Sequence, residues 1–240
     1  MIAIVGQYLG EEKLASVGAS SSVQFLVLGF CMGICCGFAI PVSQHFGAKN
    51  TLKMKEAIFH AGFLSILFAA VITTACAILC PNILHILSTP ENIFDDAYSY
   101  LFIIFLGIPF TILYNFLSGL LRAVGDSKTP FLFLVFSSIL NIILDLTFII
   151  VFKLGVSGAA LATIMSQGVS GLLCLIYIIK KFPILRISKE HCRIKSDMTK
   201  QMIAMGVPMG LQYSITAIGS MVMQSANNGL GSTYISGFTA

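Results

Sequence analysis

Asp145, Asn141 and Ser138 form a stripe that could do chemistry, because spacings of four and three put them on one face of a helix. A carboxylate flanked by two neutral oxygen-bearing side chains suits a proton carrier, or part of a sodium site with hard oxygen ligands. A hydrogen-bonded clamp between helices is the structural alternative, but a clamp needs no ionisable group. What sharpens the reading is where Asp145 lies. It is one of only 10 acidic residues, and it falls within an apolar run of 22 residues, 131–152, which is long enough to span a bilayer. A charged side chain at mid-membrane costs roughly 2.5–3.5 kcal/mol even on the lenient insertion scale, so it normally faces a bundle interior and marks an ion or substrate path. The other acids (Glu11, Glu12, Glu56, Glu91, Asp95, Asp96, Asp126, Glu190, Asp197) fall in or beside polar breaks.

The next apolar run offers Thr163, Ser166, Gln167 and Ser170 at helical spacing. Gly158, Ala162, Ser166 and Ser170 there form a ridge of small residues that lets a neighbour pack closely. Thr163 is the member to place in a site, with Gln167 as a cavity-lining candidate. Tyr114 and Asn115 in an earlier run, and Gln212 in the last, suit either a polar lining or structural hydrogen bonds. Gly29, Gly33 and Gly37 make a second close-packing ridge, followed by Pro41. Pro109 and Pro208 lie inside runs, where each frees a backbone carbonyl and permits a bend.

The elements that must position these residues are apolar runs at 20–43, 57–80, 98–121, 130–152, 157–179 and 200–226, preceded by a short piece at 1–9. Hydrophobic residues make up 57% of the chain and charged ones 10%, against about 25% charged in soluble domains. The chain is therefore expected to be an all-α, polytopic integral membrane protein. Three alternate breaks, 44–56, 122–129 and 180–200, carry twelve of the 14 basic residues. The breaks between them carry Lys13 and Lys153 and five of the 10 acids, Glu11, Glu12, Glu91, Asp95 and Asp96. The positive-inside rule makes the three basic breaks cytoplasmic, which explains the net charge of +4 without nucleic acid. The segment 180–200 is expected to be an amphipathic surface piece or a plain connector.

Six cysteines sit in or at the ends of apolar runs and read as small packing residues, while Cys192 lies in a basic loop. The four histidines are scattered. No phosphate loop, nucleophile elbow or HExxH motif occurs, and no second catalytic group accompanies Asp145 at depth, which argues against an enzyme.

Residues 9–19 have a faint echo in 230–240, sharing a leucine, a glycine and a final alanine. In both places an outside loop is expected to lead from one helix into the next, as in a transporter built from repeats. On that reading the chain starts at the tail of a first helix and stops at the start of an eighth, so both ends look truncated.

Five strings, in order, are similar to one known family: PVSQHFGAKN (41–50), LRAVGDSKTP (121–130), LNIILD (140–145), GVSGAALATIMSQ (155–167) and GVPMGLQYSI (206–215). The whole length resembles the multidrug and toxic compound extrusion (MATE) family of cation-coupled efflux transporters. The resemblance implies twelve helices in two six-helix lobes around a V-shaped cavity, exporting organic cations as sodium or protons enter. It divides the chain into an N-terminal lobe (1–179), an inter-lobe loop (180–199) and the start of a second lobe (200–240). Carried over by position, Asp145 and Asn141 look like the family's fifth-helix cation pair and Thr163 like its sixth-helix partner; these three would also hold sodium if sodium is the coupling ion. Asn115 resembles a polar fourth-helix residue. The family's first-helix aspartate would lie before Met1, and the remaining helices of a full-length transporter are the expected partner, besides organic substrates and membrane lipid. No cofactor beyond the coupling ion is implied.

Two other readings stand beside this one. A flippase of lipid-linked oligosaccharide from the same superfamily would be expected to line its cavity with several arginines or lysines, and this chain has none within its runs except at their ends. A non-transporting membrane scaffold would show no cation-dependent substrate binding.

Overall fold

A computed structural model describes residues 2–188, 192 and 194–228. Eight α-helices follow one another there: α1 (Ile2–Leu9), α2 (Glu11–Gly47), α3 (Thr51–Ile86), α4 (Glu91–Leu106), α5 (Ile108–Ala123), α6 (Lys128–Leu146), α7 (Gly155–Lys181) and α8 (Ser196–Asn228). A π-helical turn, Thr147–Val151, extends α6, and a 3₁₀ turn, Pro183–Leu185, follows α7. Five helices are long and apolar enough to cross a membrane, and the bent pair α4–α5 makes a sixth span. These are the six runs expected from composition. The protein is an all-helical, multi-pass membrane protein.

The helices bury small and aliphatic side chains against one another and turn bulky apolar ones outward, as lipid permits. Ile66, Ile78 and Phe131 are exposed, while Ala57, Ala61 and Ile34 are buried. Four cysteines, Cys31, Cys35, Cys80 and Cys174, are buried and all seven are free; Cys35 donates to the Ile112 carbonyl at 3.8 Å. They pack as small hydrophobes.

The outside loop expected at 9–19 is helical instead. Gly10, at φ +86°, makes the break by itself, a conformation glycine adopts without cost. Glu11 and Glu12 then occupy the first turn of α2, where their charges complement the helix dipole. Its proposed echo at 230–240 lies outside the described residues. The bend permitted by Pro109 falls two residues earlier, at Gly107, where α4 and α5 meet at 43°. A Cβ on Gly107 would come within 2.0 Å of Ile164 Cγ2, so the kink sits directly against α7. α2 and α8 run on through Pro41 and Pro208.

The glycine ridge of α2 meets α8. A Cβ on Gly33 would lie 2.5 Å from the Met209 carbonyl oxygen, and one on Gly37 the same distance from Gly206 Cα. The reverse holds too: Cβ atoms on Gly206 and Gly210 would run into Phe38 and Phe30. Two glycine pairs, one per helix, thus bring the backbones together. The string GVPMG contains that second pair, a signal that sequence reading used only as a family marker.

Bonds between breaks sort the helix ends into two sides. Lys13 pairs with Asp96, joining the starts of α2 and α4. At the opposite ends, Lys195 pairs with Glu56 at 2.7 Å, and a cavity of about 370 Å³ is lined by His45, Lys49, Thr51 and Ile184. The breaks 44–56 and 180–200 therefore share one side, as their basic charge requires. After α7 the chain is not a plain connector: Leu185 is buried in the core beneath α3 and α7, and Arg186 Nε donates to the Ile179 carbonyl at 2.9 Å.

Candidate functional site

α6 and α7 lie side by side, and of the predicted stripe Asn141 reaches across to α7 while Asp145 is buried. Asn141 and Asp145 are one helical turn apart on α6. Asp145 is 0% exposed, although α6 as a whole is mostly exposed, so α6 turns its acid inward. Asn141 Nδ2 donates to Thr163 Oγ1 on α7 at 3.4 Å, and that hydroxyl donates to the Ala159 carbonyl at 3.0 Å. The single Thr163 proton is thereby committed to its own helix, which leaves its oxygen to accept. Asn141 keeps its carbonyl oxygen for another partner.

Immediately past Asp145 the helix widens into the π turn at Thr147–Val151. Such turns recur at functional sites because they re-aim side chains within an otherwise regular helix. Here the turn seats Ile149 in an apolar cluster with Val5, Val17, Tyr100, Ile104 and Val156. That cluster draws on α1, α2, α4 and α7 as well.

Two further polar residues, Tyr100 of that cluster and its partner Gln24, were not singled out from the sequence. Tyr100 on α4 is fully buried and its hydroxyl donates to Gln24 Oε1 on α2 at 3.0 Å. The Asp145 carboxyl lies within electrostatic reach of that phenol. Helix periodicity groups residues along one helix and is blind to pairs that cross between helices. Gln24 is nonetheless a lone amide in the apolar run 20–43, and that isolation was a usable signal.

The remaining candidates spread out. Asn115 Nδ2 donates to its own helix at the Thr111 carbonyl, 2.8 Å away. Tyr114 reaches across from α5 to α6, donating to the Pro130 carbonyl at 3.1 Å. Ser138 is exposed and bonded back to the Leu134 carbonyl. Gln167 stands one turn beyond Thr163 on α7, with its side-chain oxygen enclosed and without a hydrogen-bond partner among the described residues. Gln212 is exposed on α8, which packs chiefly along α2. The structure thus joins Asn141 and Thr163 directly, sets buried Asp145 one turn away, and adds Gln24 and Tyr100.

Comparison with known proteins points one way. The family described as MatE matches residues 1–147. The probable multidrug resistance protein YpnP of Bacillus subtilis is 36% identical over 242 residues, covering 98% of this chain and 53% of its own length. The multidrug export protein MepA of Staphylococcus saprophyticus is 26% identical over 96% of this chain and 51% of its own. The chain spans about half the length of the curated relatives it matches. Among solved structures, a MATE protein in complex with MaD3S superposes with a TM-score of 0.83 at 25% identity, over 90% of this chain and 49% of that one. An inward-facing multidrug resistance MATE family transporter shares the fold, with a TM-score of 0.93 at 24% identity over 99% of this chain and 55% of that one.

Proposed function

This chain belongs to the MatE family, a family of transporters rather than enzymes, and from that premise we propose that it supplies the N-terminal half of a cation-coupled drug exporter. The relatives are named for multidrug resistance and multidrug export, which supports organic, often cationic, compounds as the substrate class. The observation that carries the mechanism is the burial of Asp145 beside the bonded pair Asn141–Thr163. An acid buried among membrane-spanning helices commonly marks an ion path, and either a proton or a sodium ion suits a carboxylate there.

On this reading the cation is a co-substrate. Asp145 takes the charge, while the Asn141 carbonyl and the Thr163 hydroxyl offer neutral oxygens one turn away. Cation and drug favour different arrangements of the helices, so each lowers the other's affinity, and entry of one drives exit of the other. The protein would sit in the cell membrane with the breaks 44–56, 122–129 and 180–200 in the cytoplasm.

The test uses a chimera in which this chain replaces the matching half of the Bacillus subtilis relative, expressed in a host lacking its own pumps. Ethidium accumulation in energised cells should fall several-fold below that of the empty host, and collapse of the ion gradients should restore it. Accumulation equal to the empty host, with the chimera present in the membrane at the level of its parent, would contradict the proposal.

A further inference from the structure

His60 on α3 is 1% exposed and lies at the end of the bundle where the basic breaks gather, away from Asp145. Both of its ring nitrogens are engaged. Nδ1 lies 2.8 Å from the Glu56 carbonyl oxygen, and the Lys195 backbone N–H donates to Nε2 at 2.8 Å. A carbonyl can only accept and an amide N–H can only donate, so the two partners together fix the ring as the neutral tautomer carrying its proton on Nδ1. The second strand of the same tie is the Lys195 Nζ–Glu56 Oε1 ion pair.

The position of Lys195 gives these bonds their consequence. It immediately precedes α8, and its carbonyl accepts from the Thr199 backbone N–H at 3.1 Å, the first bond of that helix. The tie therefore joins α3 to the leading end of α8, across a sequence separation of 135 residues. That junction is where the first five spans hand over to the sixth.

We propose that His60 is a proton-operated latch between α3 and α8, closed when the imidazole is neutral and opened when it is protonated. Adding a proton converts Nε2 from acceptor to donor and sets two N–H groups against each other, in a place where an unmet donor is costly. The sign follows: the latch holds at higher pH and releases as pH falls. The charged groups bonded into the cluster are Glu56 of α3 itself and Lys195 ahead of α8. At the same end of the bundle stand His45 near the end of α2, Arg122 at the end of α5, Arg186 after the 3₁₀ turn, and Asp197 and Lys200 near the start of α8. The acids of α4, Glu91, Asp95 and Asp96, belong to the opposite end of α3. Of these groups, only His60 changes from acceptor to donor toward the Lys195 amide.

Hydrogen exchange at the Lys195 amide reads the latch directly, on the full chain in lipid nanodiscs and without reference to transport. Corrected for the intrinsic pH dependence of exchange, its protection should fall roughly tenfold or more between about pH 8 and about pH 5, the window in which a histidine changes charge. His60→Gln offers an amide oxygen to the same N–H and should keep its protection constant across that window. Glu56→Gln removes the ion pair and should lower protection at both pH values while leaving the step in place. Equal wild-type protection at both pH values would overturn the latch. So would a step that survives in His60→Gln, or one that vanishes in Glu56→Gln, because either assigns the titration to another group.

Discussion

Asp145→Asn is expected to abolish cation-driven drug efflux while leaving the helices in place. The substitution keeps the shape of a side chain that is wholly buried and removes its ability to carry charge. A neutral amide is also less costly at membrane depth than a carboxylate, so the variant should still insert and fold. What is lost is the linkage. Coupling free energies of about 1–3 kcal/mol correspond to changes of about 5–150-fold in affinity, and the variant should forfeit an effect of that size. In the chimera, ethidium efflux driven by an imposed proton or sodium gradient should drop to the leak, while ethidium binding survives. A variant that exported as well as its parent would remove Asp145 from the mechanism.

Gly37→Ala should weaken the seam between α2 and α8. Its new methyl would meet Gly206 Cα at 2.5 Å and the Met205 carbonyl oxygen at 2.7 Å, both backbone atoms that move only if the helices part. Gly33 faces the same kind of barrier at Met209 and Gly210. Overpacking of this sort costs about 1–3 kcal/mol, which should lower the unfolding temperature of the purified chain by several degrees. Gly29→Ala is the internal control. The Cβ there would find the Tyr213 carbonyl oxygen at 3.7 Å, an ordinary contact, and alanine is the better helix former by about 1 kcal/mol. Its unfolding temperature should hold or rise. Equal losses at positions 29 and 37 would mean that close approach to α8 is not what the ridge serves.

Asp145 was legible from sequence because membrane chemistry makes an isolated acid conspicuous, and its company on α6 followed from helical spacing alone. The six spans followed from composition and the sidedness of their ends from the placement of lysine and arginine. The bonds Lys13–Asp96 and Lys195–Glu56 now tie together breaks that charge alone had assigned to common sides. The Asn141–Thr163 contact needed the family resemblance, since the two residues sit on different helices. Gln24, Tyr100 and His60 escaped notice for that same reason: each acquires its meaning from a partner more than seventy residues away. The helical start of α2 was missed because two glutamates beside a glycine read as a loop, whereas at a helix N-terminus those charges are favoured. The kink at Gly107 was displaced from Pro109 because proline is accepted in the first turn of a helix, where its missing N–H is not needed.

The most direct test of the coupling proposal is cation binding to the purified protein, measured by ²²Na exchange and by proton uptake in weakly buffered solution, with and without ethidium. One of the two cations should bind, ethidium should displace it, and Asp145→Asn should bind neither. A cation that binds Asp145→Asn as tightly as the wild type, or one that ethidium leaves undisturbed, would contradict it.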